Sequence, residues 1–557
     1  MVSAKNSVFA AILLLASGAV AQAPKRTHDG SHLPPAAIAA LEGIRKENIE
    51  THVRFLAHDL LEGRGTGARG GDIAAQYIAA QFALYGLQPA GDNGTYLQRV
   101  PFVGVTPGAD TRFTLVPASG APMDLKVLDD YVVYDQTQKP ASDIDAPIVY
   151  VGYGIEAPEY NWDDYKGVDV KGKVLLMLVN EPPSDDPNFF TGKALTYYGR
   201  WMYKYEQAAR KGAVGAILVH KTEMASYGWD VVRNSNSGEK SYLQLDGTPK
   251  LNAAAWIQLE VARKLASAAG LDLDKMMADA QSRDFKSVSL PVRLAAHVTS
   301  KVRPFEANNV VAVLPGSGSL KAEGIMYTSH YDHLGIRPDM PGDNIYNGAL
   351  DNASGCGILL ELARVFAQSP QKPRRSVYFA SVTAEEQGLL GSEYLGKHPP
   401  IPAGKISLDL NYDDVRPEGS PEQVEVSGAE RTSFYPTVQA TASDFRFKIR
   451  PDAHPEAGHY YRSDHFSLAR VGIPSFSINQ GIKFKGHDEA WGLAQDEDYV
   501  KNHYHQPSDE YLPGQDWTSD AAMARFGFAL GWEAANQSHT VEWKKGDEFE
   551  RARKASR

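Results

Sequence analysis

The 557-residue sequence predicts an α/β protein, an open sheet flanked by helices, with a β-rich stretch set into it. Three observations lead there. Short apolar runs alternate with helical spacing between residues 305 and 411. Residue types suited to metal binding sit inside or just beyond those runs. Residues 105–300, by contrast, hold short β-rich runs separated by Gly, Pro and Asp turns.

The alternation is clearest from residue 325. Ile325-Met326-Tyr327-Thr328-Ser329 reads as a strand and runs into His330-Tyr331-Asp332-His333. Leu350-Asp351-Asn352-Ala353-Ser354-Gly355 opens a helical pattern carried by Ile358, Leu359, Leu362, Ala363 and Phe366. Ser376–Ser381 reads as a buried strand followed by Glu385-Glu386, and Ile406-Ser407-Leu408-Asp409-Leu410 is a further short strand with one acid inside it. In an open α/β sheet such strand ends converge on one crevice, so side chains remote in sequence can meet.

Length and composition set bounds. A chain this long is expected to form two or three domains. The 43% hydrophobic and 22% charged fractions are those of a globular protein, and a net charge of −11 with no basic stripe argues against nucleic acid. Lys5, the apolar stretch Val8 to Ala16 and the Ala19-Val20-Ala21 and Ala21-Gln22-Ala23 sites form a cleavable secretory signal over residues 1–23. Its apolar core is too short to span a bilayer, and no later run is long enough, so an exported protein without stable membrane insertion is expected, periplasmic or extracellular. The single cysteine, Cys356, excludes an internal disulfide and reads as a small buried residue.

Residues 24–104 read as a helical segment. Ala36 to Leu56 carries helical spacing, and Asp72 caps a helix from Ile73 to Tyr85. Between them, Glu62-Gly63-Arg64-Gly65-Thr66-Gly67-Ala68-Arg69-Gly70-Gly71 lacks the Gly-Lys-Ser/Thr ending of a phosphate-binding loop, and no strand leads into it. It reads as a surface loop touching the catalytic domain. In 105–304, helices are expected over Tyr203–Lys211 and Ala253–Leu271, and Asp163, Asp164, Asp185 and Asp186 read as solvated loop acids. No cluster of metal ligands stands out there. The stretch is read as an inserted accessory domain, 305–540 as the catalytic domain, and 541–557 as a charged tail.

These pieces resemble a zinc-dependent exopeptidase of the M28 family with an inserted protease-associated (PA) domain. The residues that carry the resemblance are Arg54-Phe55-Leu56-Ala57-His58-Asp59 with Glu62–Gly67, then Gly152-Tyr153-Gly154-Ile155 and Lys171-Gly172-Lys173-Val174 in the insert. In the core they are His330–His333, Asp351–Gly355, Glu385-Glu386, Leu408-Asp409, Arg462-Ser463-Asp464-His465 and Tyr504-His505-Gln506-Pro507-Ser508-Asp509. Each is weak alone; their order and spacing are specific, and together they run from about residue 40 to 535. The resemblance implies the zinc-exopeptidase fold, a central mixed, mostly parallel sheet flanked by helices, with the PA domain inserted at 105–304.

Peptide hydrolysis needs a nucleophilic water, a base, and positive charge where the oxyanion develops, and two divalent metals supply the first and last together. His330, Asp351, Glu386, Asp409 and His505 provide a set of five ligands. By the family pattern Asp351 bridges, His330 and Asp409 complete one site, and Glu386 and His505 complete the other. Nitrogen and oxygen ligands of this kind favour two Zn²⁺ per chain, with Co²⁺ or Mn²⁺ as substitutes. Glu385, beside a ligand but not one itself, is the expected general base. Asp332 is expected to accept the second ring proton of His330, and the Tyr504 hydroxyl to reach the oxyanion.

His333, His465, His487 and His503 are rival imidazoles; His505 is preferred over His503 because Tyr-His-x-Pro-x-Asp matches the family. The segment Leu410-Asn411-Tyr412-Asp413-Asp414 departs from the family and adds two acids, so the choice of Asp409 over Asp413 rests on the strand pattern. Pro451 to Asp498 is expected to shape the substrate pocket, with no individual substrate-binding residue assigned. An aminopeptidase acting on peptides or dipeptides is the leading expectation. A carboxypeptidase on small acidic peptides, a glutaminyl cyclase-like enzyme and an inactive PA-domain binding protein are the alternatives.

Overall fold

A computed structural model describes residues 33–225, 227–338 and 340–557. The secretory-signal reading of residues 1–23 lies outside them. The crevice-forming sheet runs Ser475–Ser477, Ile406–Asn411, Gly324–His330, Ser376–Val382 and then the C-terminal half of Val288–Leu314. The first four strands are mutually parallel and the last pairing is antiparallel.

Both faces are covered, as the near-continuous apolar strands require. Ile325, Tyr327, Val377, Phe379, Leu408 and Leu410 pack with the helices Lys46–Leu56, Gly355–Gln368 and Thr518–Asn536. Met326, Tyr378, Ala380 and Ile406 face Leu395 and Leu468 of two shorter helices. Ile406 and Leu408 would share a face in a regular strand. They do not, because the register runs Gly324↔Ile406 and then Met326↔Asp409, an irregularity that admits one extra residue.

Residues 113–298 form cores of their own. The strands Ala141–Tyr150, Val174–Leu178, Gly215–His220 and Ala253–Gln258 run parallel there, with Tyr131–Tyr134 antiparallel at the edge. The insert joins the crevice sheet through one antiparallel ribbon, Leu97–Pro107 against Val288–Leu314, with Pro107 opposite Ser300.

Several local expectations are corrected. Ala36–Leu56 is two helices, Pro35–Glu42 and Lys46–Leu56, broken at Gly43. The helix after the Gly-rich loop starts earlier, at Arg69, with Asp72 inside its first turn and Ala68 at its cap. Ala253–Gln258 is a strand, with the helix confined to Leu259–Ala268: pairing along Gly215–His220 outweighs the helix preference of three alanines. Asp164 is buried, not solvated, and accepts the Ile155 N–H at 2.9 Å. The terminal segment is docked by the buried Arg553, which donates to the carbonyl of Ile406 at 2.9 Å. Cys356 is buried.

Candidate metal centre

The site lies at the carboxyl ends of the parallel strands. His330 is the last residue of Gly324–His330; Glu385 and Glu386 follow Ser376–Val382; Asp413 follows Ile406–Asn411. Asp351 lies in the tight turn Ala349–Ser354. That turn is entered through Gly348 at φ +57°, where a Cβ would come within 2.3 Å of the Asp351 carbonyl oxygen and 2.6 Å of the His333 ring. His505 also has positive φ, 57°, and its Nε2 lies 3.2 Å from Asp351 Oδ2 and 3.1 Å from Glu386 Oε2.

Two groups of potential ligands share Asp351. One is His330, Asp351 and Asp413; the other is His333, Asp351 and Glu386, with His505 facing the same two acids. His330 Nε2 is 3.3 Å from Asp351 Oδ1 and 3.1 Å from Asp413 Oδ1, while His333 Nδ1 is 2.6 Å from Glu386 Oε1. The His333 ring is buried and its Nε2 has no hydrogen-bond partner. Clustered carboxylates and imidazoles, mostly buried, form a donor set that fits divalent zinc.

Asp409 does not join either group. It is wholly buried within the strand, where Thr328 Oγ1 lies 3.0 Å from its Oδ1, and its other oxygen has no partner. Burial pushes its carboxyl well above the usual range. The register gives the reason. Met326 pairs with Asp409 and Thr328 with Asn411, so continuing the ladder two residues sets His330 opposite Asp413. The expected acid is therefore displaced four residues along the chain.

Asp332 also acts differently from expectation. His330 Nδ1 lies 3.2 Å from the main-chain carbonyl of Asp332 but 3.8 Å from its carboxylate. The carboxylate instead accepts the Glu385 N–H at 3.1 Å and the Thr66 hydroxyl at 2.9 Å. It thus holds the Glu385 backbone, and burial raises it to about 6. Tyr504 stacks on the His505 ring, centroids 3.9 Å apart.

Charge distribution separates the acids. Burial raises Glu385 well above a normal carboxylate, against the opposing pull of His330. Burial also opposes ionisation of Asp351, but His333, His330 and His505 outweigh it and hold Asp351 well below the usual range. For His505, burial is outweighed by Asp351 and Glu386, and it rises to about 10.

Two supports were not assigned individual roles from the sequence. Asp509 accepts the N–H groups of Leu350 and Asp351 at 3.0 and 3.1 Å, fixing the turn that carries Asp351. Arg64 is fully buried, contrary to the surface-loop reading. Its guanidinium donates to the carbonyls of Tyr331, Leu56, Asn347 and Gly348 at 2.7, 2.6, 2.5 and 2.7 Å. The Gly-rich loop is compact because Gly63, at φ +65°, passes within contact of the Gly335 and Tyr346 carbonyls. The glycines flanking one arginine were the available signal.

The α/β sheet thus carries at its strand ends two potential ligand groups that share one carboxylate, with Glu385 outside both. Residues 309–529 match the profile of peptidase family M28. A probable zinc metalloprotease of Pyrenophora teres f. teres is 36% identical over 113 residues, 20% of this chain and 23% of the relative. A probable zinc metalloprotease of Leptosphaeria maculans is 39% identical over 117 residues, 20% of this chain and 25% of the relative. The chain thus spans about a quarter of the length of these curated relatives. Among solved structures, an aminopeptidase from Aneurinibacillus sp. strain AM-1 is 19% identical, with 90% of this chain and 97% of that chain covered and a TM-score of 0.49. A peptidase M28 precursor from Shewanella amazonensis SB2B is 18% identical, with 91% and 99% covered and a TM-score of 0.39.

Proposed function

We propose that the protein is an exported di-zinc aminopeptidase that releases N-terminal residues from peptides. The observation that carries this reading is the pair of ligand groups sharing Asp351, with Glu385 beside them and not consumed by either. His330, Asp351 and Asp413 would hold one ion, and Asp351, Glu386 and His505 the other, with His333 against Glu386. Zinc there supplies Lewis acidity and a nucleophile active at neutral pH.

The chain's own residues do the rest. Glu385 accepts the proton of the attacking water, and its raised pKa suits it to hold that proton and pass it to the leaving amine. Asp332 and Thr66 fix its position through its own backbone. Tyr504 is assigned to the developing oxyanion. The carboxylates around the reacting carbonyl attract a substrate ammonium, which favours a free amino terminus. Export rests on the signal pattern of residues 1–23, and among the described residues no helix is long and apolar enough to cross a membrane. Residues 105–304 are assigned as the PA-type insert on Gly152–Ile155 and Lys171–Val174.

The test is hydrolysis of paired free and N-acetylated dipeptides by zinc-reconstituted protein, with metal counted by elemental analysis. About two ions per chain and far slower cleavage of the acetylated member are expected. One ion per chain would favour cyclase-like chemistry. Rapid cleavage of acetylated substrates would overturn the aminopeptidase assignment.

A further inference from the structure

Four hydrogen-bond links join the buried Asp409 to the candidate ligand Asp413. Thr328 Oγ1 lies 3.0 Å from Asp409 Oδ1 and 2.9 Å from Asn411 Oδ1. The Asn411 amide nitrogen lies 2.8 Å from Ser463 Oγ, which in turn lies 2.6 Å from Asp413 Oδ2. The fold sets out this row. Asp409 and Asn411 are two apart on one strand and so share a face, Thr328 pairs with Asn411 from the neighbouring parallel strand, and Asp413 follows the strand end. Asp409, Thr328 and Asn411 are wholly buried.

Each link needs one hydrogen, and the three middle residues supply three. Thr328 and Ser463 carry one hydroxyl hydrogen each. Asn411 meets its two neighbours with one oxygen and one nitrogen, so it donates across one link whichever way its amide is turned. Without a fourth hydrogen, one pair of oxygens in the row faces each other at 3.0 Å or less. That hydrogen has to sit on a terminal carboxyl. Asp413 is the wrong end, because it faces His330 and Asp351 in a ligand group, where metal binding requires the carboxylate. Asp409 is the right one: its Oδ2 has no partner, and an unpaired buried anion is costly. Burial pushes its carboxyl upward, against the pull of Thr328 and with the repulsion of Asp464 added.

We propose that Asp409 carries the fourth hydrogen and that the row is a one-way relay positioning Asp413. Asp409 donates to Thr328, Thr328 to Asn411 Oδ1, the Asn411 amide to Ser463, and Ser463 to Asp413 Oδ2. Every donor then points toward the ligand, whose Oδ2 is held while its Oδ1 stays 3.1 Å from His330 Nε2. An ionised Asp409 would instead take the Thr328 hydrogen and turn the Asn411 amide over. The Asn411 oxygen would then compete with Asp413 for the single hydrogen of Ser463. Asp409 is thus a positioning residue that acts through three partners. This rests on the metal-site reading of Asp413.

Infrared difference spectra of the full chain at neutral pH, parent against Asp409→Asn, read the hydrogen directly. Loss of one protonated-carboxyl C=O band in the variant is expected; loss of an ionised-carboxylate band overturns the proposal. Zinc competition against a chromophoric chelator reads the relay. Ser463→Ala should weaken one of the two ions about 10- to 100-fold, the range for partners that orient a ligand, and leave the other unchanged. Thr328→Val should do the same, although the Thr328 side chain meets Asp409 and Asn411 and no candidate ligand. Thr328→Ser keeps the hydroxyl and should restore the parental affinity. Parental affinity in both Ser463→Ala and Thr328→Val, or equal weakening of both ions, overturns the relay. A parent that takes up no zinc defeats the metal-site reading instead, and the infrared band still decides whether Asp409 holds the hydrogen.

Discussion

Exchanging the carboxylates of Asp409 and Asp413 for amides, one at a time, separates a metal ligand from a buried strand acid. Asp413 Oδ1 stands 3.1 Å from His330 Nε2, and its other oxygen accepts from Ser463. Asp413→Asn removes one anionic ligand and leaves the hydrogen-bonding shape. Even residues that merely orient a ligand cost 10- to 100-fold in metal affinity, so loss of a direct ligand should cost at least ~10²-fold, or about 2.7 kcal/mol. Asp409→Asn should do almost nothing to the metal. It stands outside both ligand groups, and the amide can still meet Thr328 Oγ1, so affinity should change less than ~10-fold, about 1.4 kcal/mol. Competition against a chromophoric chelator, with elemental analysis after dialysis, gives both affinity and stoichiometry. Asp413→Asn should retain about one ion per chain, by the two-site logic. If Asp409→Asn drops an ion while Asp413→Asn keeps two, the register argument is wrong.

Glu385→Gln should lower turnover by ~10² to 10⁴ with metal content unchanged, whereas Glu386→Gln should weaken metal retention; a swap of those phenotypes would exchange the roles. Arg64→Met leaves four carbonyls without their donor and should destabilise the fold by at least about 3 kcal/mol in urea unfolding; an unchanged midpoint would refute the staple. His465 is buried with neither ring nitrogen bonded through its side-chain geometry, and burial lowers it to about 3. An unfolded histidine near 6.5 takes up a proton that the folded one refuses, so this contribution is complete above about 6.5 and is lost as pH falls toward 3. The window is worth roughly 5 kcal/mol, and His465→Phe, packed edge-on against Tyr460, should flatten stability over that range.

Four of the five expected ligands converge: His330, Asp351, Glu386 and His505. They were legible because each stands at a strand end or in a motif whose surroundings are distinctive. Asp409 lies outside the cluster, although an acid within Ile-Ser-Leu-Asp-Leu looks too costly to bury without a metal. The Thr328 hydroxyl answers part of that cost, and the extra residue in the ladder near Ser407 has no sequence signature. His333 was ranked only as a rival because a histidine three residues from another seldom shares its site unless the backbone turns between them, as it does here after His330. Arg64 escaped because glycine-rich loops are ordinarily exposed. The alternation of strands and helices from 305 onward survived intact, since apolar periodicity is a local property. The alanine-rich strand at 253 did not, since only its neighbours make it a strand.

Arg64 bonds to the Tyr331 carbonyl across 267 positions of chain. A ribosome therefore delivers one half of the floor beneath the ligand cluster long before the other exists. The intervening chain is not slack: the ribbon pairing Pro107 with Ser300 brings its ends together once the insert has formed its own core. In the folded chain that ribbon closes the loop between the glycine-rich segment and the His330 strand, which lowers the entropy cost of joining them. Cutting the gene near residue 105 and expressing the halves separately should give a C-terminal product whose sheet can form but whose metal-bearing turn at Gly348 lacks its clamp.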